Sequence, residues 1–167
     1  FPAATALVKI KDNDSKKYYS SLKKADYVFF DSGFFVLLLR ILKNINVSKF
    51  SGYKFLKFFF HYLKSNKQSI FLIDPNINFS KNNYMYIKNL GIKKKDINNY
   101  VAPLYEPNNL YDVNLIKKIN TIKPKVILIN IGGGTQEILG LYIQKNLKFK
   151  AKIICTGAAI SFFTGDQ

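Results

Sequence analysis

With 167 residues, the chain has room for one compact α/β domain and little more, and a hydrophobic fraction of 48% against 22% charged residues excludes wholesale disorder. Charge is the unusual quantity: 26 Lys plus Arg face 10 Asp plus Glu, a formal +16, which points to anionic partners such as a nucleotide, a phospholipid head group or a nucleic acid. Every basic residue except Arg40 is a lysine, in a chain also crowded with Asn, Ile, Phe and Tyr; an AT-rich genome produces that bias, so part of the charge carries no functional message.

One cysteine, Cys155, excludes an internal disulfide framework, and one histidine, His61, excludes a histidine-rich metal site. The longest uninterrupted apolar run is Phe34 to Leu39, far short of the roughly 20 residues of a membrane-spanning helix. The chain opens on Phe1 and ends Thr164-Gly165-Asp166-Gln167, without a basic, apolar and cleavable leader, so it reads as a core fragment.

In chain order, Ala3 to Ile10 is apolar and suggests a strand running into a helix, with Asp12 and Asp14 as caps and Tyr18, Tyr19, Leu22 and Ala25 as the stripe of the helix that follows. Asp26 to Phe30 reads as a short buried strand ended by the turn residues Asp31, Ser32 and Gly33, and Phe34 to Lys43 as an apolar helix. Tyr53 to Leu63 predicts a helix with Phe55, Leu56, Phe59, Phe60 and Leu63 on one side. Ser69 to Ile73 predicts a strand stopped by Asp74-Pro75-Asn76, and Tyr84 to Leu90 a helix ended by Gly91. Asn98 to Ala102 is a third strand, Leu110 to Ile122 a helix broken at Pro124, and Lys125 to Ile131 the strongest strand. Gly132-Gly133-Gly134 follows at once, then a helix from Thr135 to Asn146 and a strand from Ala151 to Thr156.

Short apolar strands alternating with helices of about ten residues or more imply crossover connections: a Rossmann-like, mostly parallel sheet with helices on both faces, in a single domain over residues 1–167. Ligands of such sheets bind beyond the carboxyl ends of the strands. The residues there are Asp31, Asp74, the Gly132 loop and Thr156-Gly157.

Each has two readings. Glycines at 132–134 let a ligand approach the backbone, and the helix start beyond them suits a phosphate, although neither the P-loop nor the dinucleotide fingerprint is present; equally, the segment is a tight turn with Gln136 and Glu137 as first-turn polar residues. Asp31 is either a helix cap or a base whose affinity for protons is lifted by a partly dry pocket, with Asp74 as rival base or plain turn residue. Arg40 can clamp a phosphate or carboxylate with its fork, or make a structural ion pair. His61 reads as a packed or surface imidazole and Cys155 as a small buried hydrophobe. The aromatic and lysine mixture of Tyr53 to Lys64 suits a membrane surface or an ordinary amphipathic helix.

The order of these pieces resembles the WecG/TagA/CpsF family of bacterial glycosyltransferases over nearly the whole chain. Ala25-Asp26-Tyr27-Val28-Phe29-Phe30-Asp31-Ser32 is similar to the family's Ala-Asp, apolar strand and Pro-Asp-Gly, with Arg40 nine residues beyond the Asp and Lys49-Phe50-Ser51-Gly52 resembling its Arg-x-x-Gly. Gly132-Gly133-Gly134-Thr135-Gln136-Glu137 resembles its Gly-x-Gly-x-Pro-Lys-Gln-Glu, and Thr156-Gly157-Ala158-Ala159-Ile160-Ser161-Phe162-Phe163-Thr164-Gly165 its Val-Gly-Ala-Ala-x-Asp-Phe-x-Ala-Gly. Ser32, Lys49, Gly134-Thr135 and Ser161 depart from the pattern, and Thr5 stands where the family carries Asn.

The resemblance implies transfer of a sugar, an N-acetylmannosamine-like amino sugar or a hexose, from a UDP-sugar to an undecaprenyl-type lipid-linked acceptor. It implies inversion, no required metal or other cofactor, and work at the cytoplasmic membrane face in envelope or exopolysaccharide synthesis. Asp31 would be the catalytic base, with Thr5, Arg40, Lys49, Gly132, Gly134, Gln136, Glu137, Gly157 and Ala158 binding substrate. Family members also carry a C-terminal appendage beyond the matched core. Partners would be the UDP-sugar, the acceptor, an anionic membrane surface and further copies of the chain, with no nucleic acid. Two alternatives stand beside this reading: a basic nucleic-acid-binding α/β protein, and a degenerate family member that binds nucleotide-sugar without turnover.

Overall fold

The computed structural model describes residues 16–29, 31 and 33–165; the expectations placed on Ala3 to Ile10, Asp12, Asp14 and Thr5 lie outside them. Among these described residues four strands form one sheet: β1 (Ile70–Asp74), β2 (Ile97–Val101), β3 (Val126–Ile129) and β4 (Lys152–Cys155). The order is β2-β1-β3-β4 and every pairing is parallel, with Leu72 opposite both Asn99 and Leu128, and Leu128 opposite Ile154. Around it lie α1 (Lys16–Lys23), α2 (Gly33–Lys43), α3 (Gly52–Asn66), α4 (Ile77–Asn89), α5 (Val113–Ile122), α6 (Thr135–Asn146) and the single turn α7 (Ser161–Thr164). The α/β reading of the sequence is therefore correct.

The pleat sorts the core into two layers. Ile70, Leu72, Val126 and Leu128 point to one face, where Leu56, Phe60 and Leu63 of α3 and Ile87 of α4 cover them. Phe71, Ile73, Ile127 and Ile129 point to the other, under Leu115 and Ile119 of α5 and Leu139 and Ile143 of α6. All of these side chains except Phe60, at 3%, are fully buried, each contributing about 1.5–3 kcal/mol of transfer free energy.

Caps decide where the helices begin. Asn76 accepts hydrogen bonds from the Asn78 and Phe79 N–H groups at 3.0 and 3.1 Å, so α4 starts at Ile77, seven residues before the apolar stripe that the sequence suggests. Asp112 does the same for α5 through the Leu115 N–H at 2.9 Å, moving its start from Leu110 to Val113. Gly91, at φ +90°, follows the end of α4 as expected.

One expected element is missing. Asp26 to Phe30 reads as a strand, yet residues 26–29 are irregular. Phe29 packs its ring against Phe50 and Phe55 at 5.3 and 6.0 Å, and a cavity of about 830 Å³ opens between residues 25–29 and Ile153, Ile154 and Cys155 of β4. Aromatic packing holds the segment where backbone pairing was expected. The stripe of α1 is also narrower than expected: Tyr18 and Ser21 are buried, whereas Tyr19 is half exposed.

Candidate active site

Because β2 and β3 flank β1, the chain leaves β1 toward one edge of the sheet and leaves β3 toward the other. The crevice between those departures is the switch point at which open α/β sheets bind ligands. Its walls are Asp74-Pro75-Asn76 after β1 and the 130–134 segment after β3, with Thr156-Gly157 next in line after β4.

The floor is a buried polar network. Asp74, with no exposed surface, accepts at Oδ1 from Asn83 Nδ2 at 2.6 Å and from Asn130 Nδ2 at 2.7 Å. Asn130 Oδ1 in turn accepts from Thr156 Oγ1 at 3.0 Å, tying the ends of β1, β3 and β4 together. Among the described residues, Asp74 Oδ2 and Asn83 Oδ1 are buried without a hydrogen-bond partner. Burial pushes the Asp74 carboxyl above its ordinary value, against the lowering effect of the Asn130 and Asn83 bonds. The acid form suits this setting, since it supplies a proton where an ionised carboxylate brings only acceptors. A group so enclosed is no solvent-facing base: Asp74 builds the floor.

Above it, Gln136 and Glu137 hold the two glycine loops. Gln136 Oε1 accepts the Gly157 N–H at 2.7 Å, and its Nε2 donates to Glu137 Oε1 at 3.1 Å. Glu137 Oε2 accepts the Gly134 N–H at 2.7 Å. Both side chains are buried, at 1% and 8% exposure, so they are not ordinary first-turn residues facing water. Gly157 takes φ +57°, a left-handed conformation that presents its N–H to Gln136 and that suits glycine. Gly132 and Gly133 are exposed, with open space where a Gly132 side chain would stand, and Ala158 is exposed too. Burial raises the Glu137 carboxyl, partly offset by its backbone hydrogen bonds, and raises the Cys155 thiol to about 12, with the nearby Glu137 charge adding to the effect. The Tyr18 hydroxyl is raised by the same two causes, burial first, and has no hydrogen-bond partner among the described residues.

A second group gathers around the start of α2. Asp31 is exposed, not in the partly dry pocket that one reading of the sequence expects. Lys49 lies along the same helix start, its Cδ and Nζ 3.4 and 3.7 Å from where a Gly33 Cβ would stand. Arg40 is exposed farther along α2. From Lys49 the chain enters α3, capped by Ser51, and Tyr53 in its first turn stacks on Phe163 at 4.8 Å just past the Gly157 loop. The first turn of α3 therefore ties the entry from Lys49 to the Gly157 loop. His61 is exposed.

Sequence reasoning passed over Asn83, Asn130 and the Asp112 network, in which Tyr100 and Tyr105 hydroxyls donate to Asp112 Oδ2 at 2.9 and 2.7 Å. For Asn130 the signal was available: a lone amide inside the strongest expected strand, Lys125 to Ile131. For Asn83 it was not, since one Asn among many on a polar-looking helix has no distinguishing spacing.

Among the described residues, no group of three or more His, Cys, Asp or Glu is placed to hold a metal ion, and no helix is long and apolar enough to cross a membrane. No curated protein matches the sequence. The model of the Glycosyl transferase WecG/TagA/CpsF family does match, over residues 1–167. The chain belongs to that family, and its role is that of a glycosyltransferase in cell-envelope polysaccharide synthesis.

Proposed function

We propose that the chain transfers an N-acetylmannosamine-like amino sugar or a hexose from a UDP-sugar to an undecaprenyl-type lipid-linked acceptor, with inversion and without a metal, at the inner face of a bacterial plasma membrane. The observation that carries this reading is the pair of glycine loops at the switch point, Gly132–Gly134 and Gly157, cross-braced by Gln136 and Glu137. Glu137 already supplies the carboxylate at the start of α6, so a diphosphate would meet a like charge there. The uncharged uracil and ribose suit that place better, against the exposed backbone of Gly132 and Gly133, while Gly134, Gly157 and Ala158 complete the wall. Gln136 and Glu137 act by fixing this wall.

The diphosphate then needs cations: Lys49 lies on the helix start beside Asp31, and Arg40, in the last turn of α2, is assigned to the same role on the family resemblance. Asp31 takes the proton from the acceptor hydroxyl as its oxygen bonds to the anomeric carbon; the bond from that carbon to the UDP oxygen breaks, and UDP leaves with the electron pair. Thr5, outside the described residues, is assigned to donor binding on the family resemblance alone.

A transfer assay with UDP-N-acetylmannosamine or a UDP-hexose and a polyprenyl-linked acceptor, comparing wild type with Asp31→Asn, tests the reaction. Transfer lost in Asp31→Asn while UDP still binds supports the reading. Binding of RNA that weakens steeply with salt, with no UDP binding, would replace it with the nucleic-acid reading.

A further inference from the structure

The least explained surface of the molecule is α2. Its sequence, GFFVLLLRILK, contains eight apolar residues and no acidic one, and its charged residues are Arg40 and Lys43. Leu37, Ile41 and Leu42 are 51%, 68% and 69% exposed, and Ile45 just beyond the helix is 47% exposed. At 100° per residue Leu37, Ile41 and Leu42 fall within an arc of about 140°, with Arg40 about 60° beyond Leu37 and Lys43 about 100° beyond Leu42. A surface helix of an ordinary domain turns polar residues outward; this one turns out leucine and isoleucine.

We infer that α2 docks the protein on an anionic lipid bilayer, with Leu37, Ile41 and Leu42 entering the acyl boundary and Lys43 reaching lipid phosphates. The inference rests on the proposed lipid-linked acceptor and names where the chain meets its membrane. Three observations favour a bilayer over other occupants. Eleven residues rise only about 16 Å, too short to span but suited to lying in the interface. Long basic side chains beside an apolar face can bury their stems and keep their charges among head groups. A second copy would bring Arg40 and Lys43 against their own kind on chains of formal +16, and a nucleic acid backbone has no use for exposed leucines. Docking also has a geometric consequence. Asp31 precedes the start of α2 and Lys49 lies on that start, so the exposed base would stand at the boundary where a lipid-linked acceptor presents its head group.

Flotation of the full chain with vesicles of phosphatidylcholine alone, or mixed with phosphatidylglycerol, tests this directly. Wild type should float with the anionic vesicles and stay behind with the neutral ones. The double variant Ile41→Ser, Leu42→Ser should bind the anionic vesicles at least about tenfold more weakly, and Lys43→Gln should shift binding to lower salt. Phe58→Ser, which removes an equally exposed apolar group from α3, should bind as wild type does. Calorimetric UDP binding by the double variant should equal that of wild type, showing that fold and nucleotide site survive. Equal vesicle binding by wild type and the double variant would overturn the inference. So would failure of wild type to bind anionic vesicles, or a wild-type dimer that the double variant splits into monomers. Vesicle binding that follows the predicted pattern without any UDP binding would sustain the docking surface and defeat the nucleotide-sugar reading separately.

Discussion

Two regions carry the assigned chemistry and they are built in opposite ways. Around Gly132 and Gly157 the side chains of Asn130, Gln136, Glu137 and Thr156 are enclosed, and Gln136 and Glu137 hold backbone N–H groups of both loops at 2.7 Å. Around Asp31 the side chains face water: Asp31, Arg40 and Lys49 are all exposed, and the helix that joins the first two shows leucines to the solvent. A site that must recognise one rigid nucleotide gains from preorganisation, since little ordering remains to be done on binding. A site that must receive a hydroxyl from a membrane-borne acceptor gains from openness. On the proposed function, the contrast would separate recognition, on the closed side, from catalysis, on the open side.

Substitutions on the two sides should behave differently. Asp31→Asn should lower sugar transfer by about 10²–10⁴-fold, because a positioned base is lost, while chemical denaturation shows a stability change within about 0.5 kcal/mol, as for other exposed positions. A large loss of stability in that variant would erase the distinction. Gln136→Ala should do the reverse, leaving the buried Gly157 N–H without an acceptor and costing about 1–3 kcal/mol in urea denaturation. Gly157→Ala should cost about 1–2 kcal/mol in the same measurement. There, an added Cβ would sit 3.5 Å from Gln136 Nε2, an ordinary contact, so the cost comes from holding alanine at φ +57°. Stability unchanged in Gly157→Ala would mean that the loop relaxes and is not held.

The smallest effect concerns pH. Burial raises the Asp74 carboxyl in the folded chain above the value near 4 that an unfolded Asp shows. A group of that kind contributes its full stabilisation below the unfolded value and loses it as pH rises through the folded one. Relative to Asp74→Asn, which is neutral throughout and can still accept from Asn83 and Asn130, wild type should lose stability as pH rises from about 4. Urea midpoints for both proteins across that range check the sign; parallel curves would show that Asp74 titrates alike in both states.

The sequence made most of the fold legible because buried parallel strands are written as short apolar runs, and Ser69 to Ile73 and Lys125 to Ile131 are the clearest of them. Helix starts were harder to read, since Asn76 and Asp112 act through one or two side-chain hydrogen bonds that an apolar stripe does not register. The segment at 26–30 misled for a different reason. Phe29 packs its ring on Phe50 and Phe55, a form of burial that periodicity does not distinguish from that of a strand. At the site, the Gly132 and Gly157 loops were visible because glycines mark close backbone approach. The network joining Asp74, Asn83, Asn130 and Thr156 was not, because its members come from three separated stretches and meet only once the sheet has formed.

The central claim is that nucleotide recognition lies on the closed side and proton removal on the open side. Calorimetric titration of UDP into wild type, Asp31→Asn and Gln136→Ala tests it most directly. The account predicts that Asp31→Asn binds UDP as wild type does and that Gln136→Ala loses at least about tenfold in affinity, the equivalent of about 1.4 kcal/mol. Equal binding by Gln136→Ala, or weakened binding confined to Asp31→Asn, would contradict it.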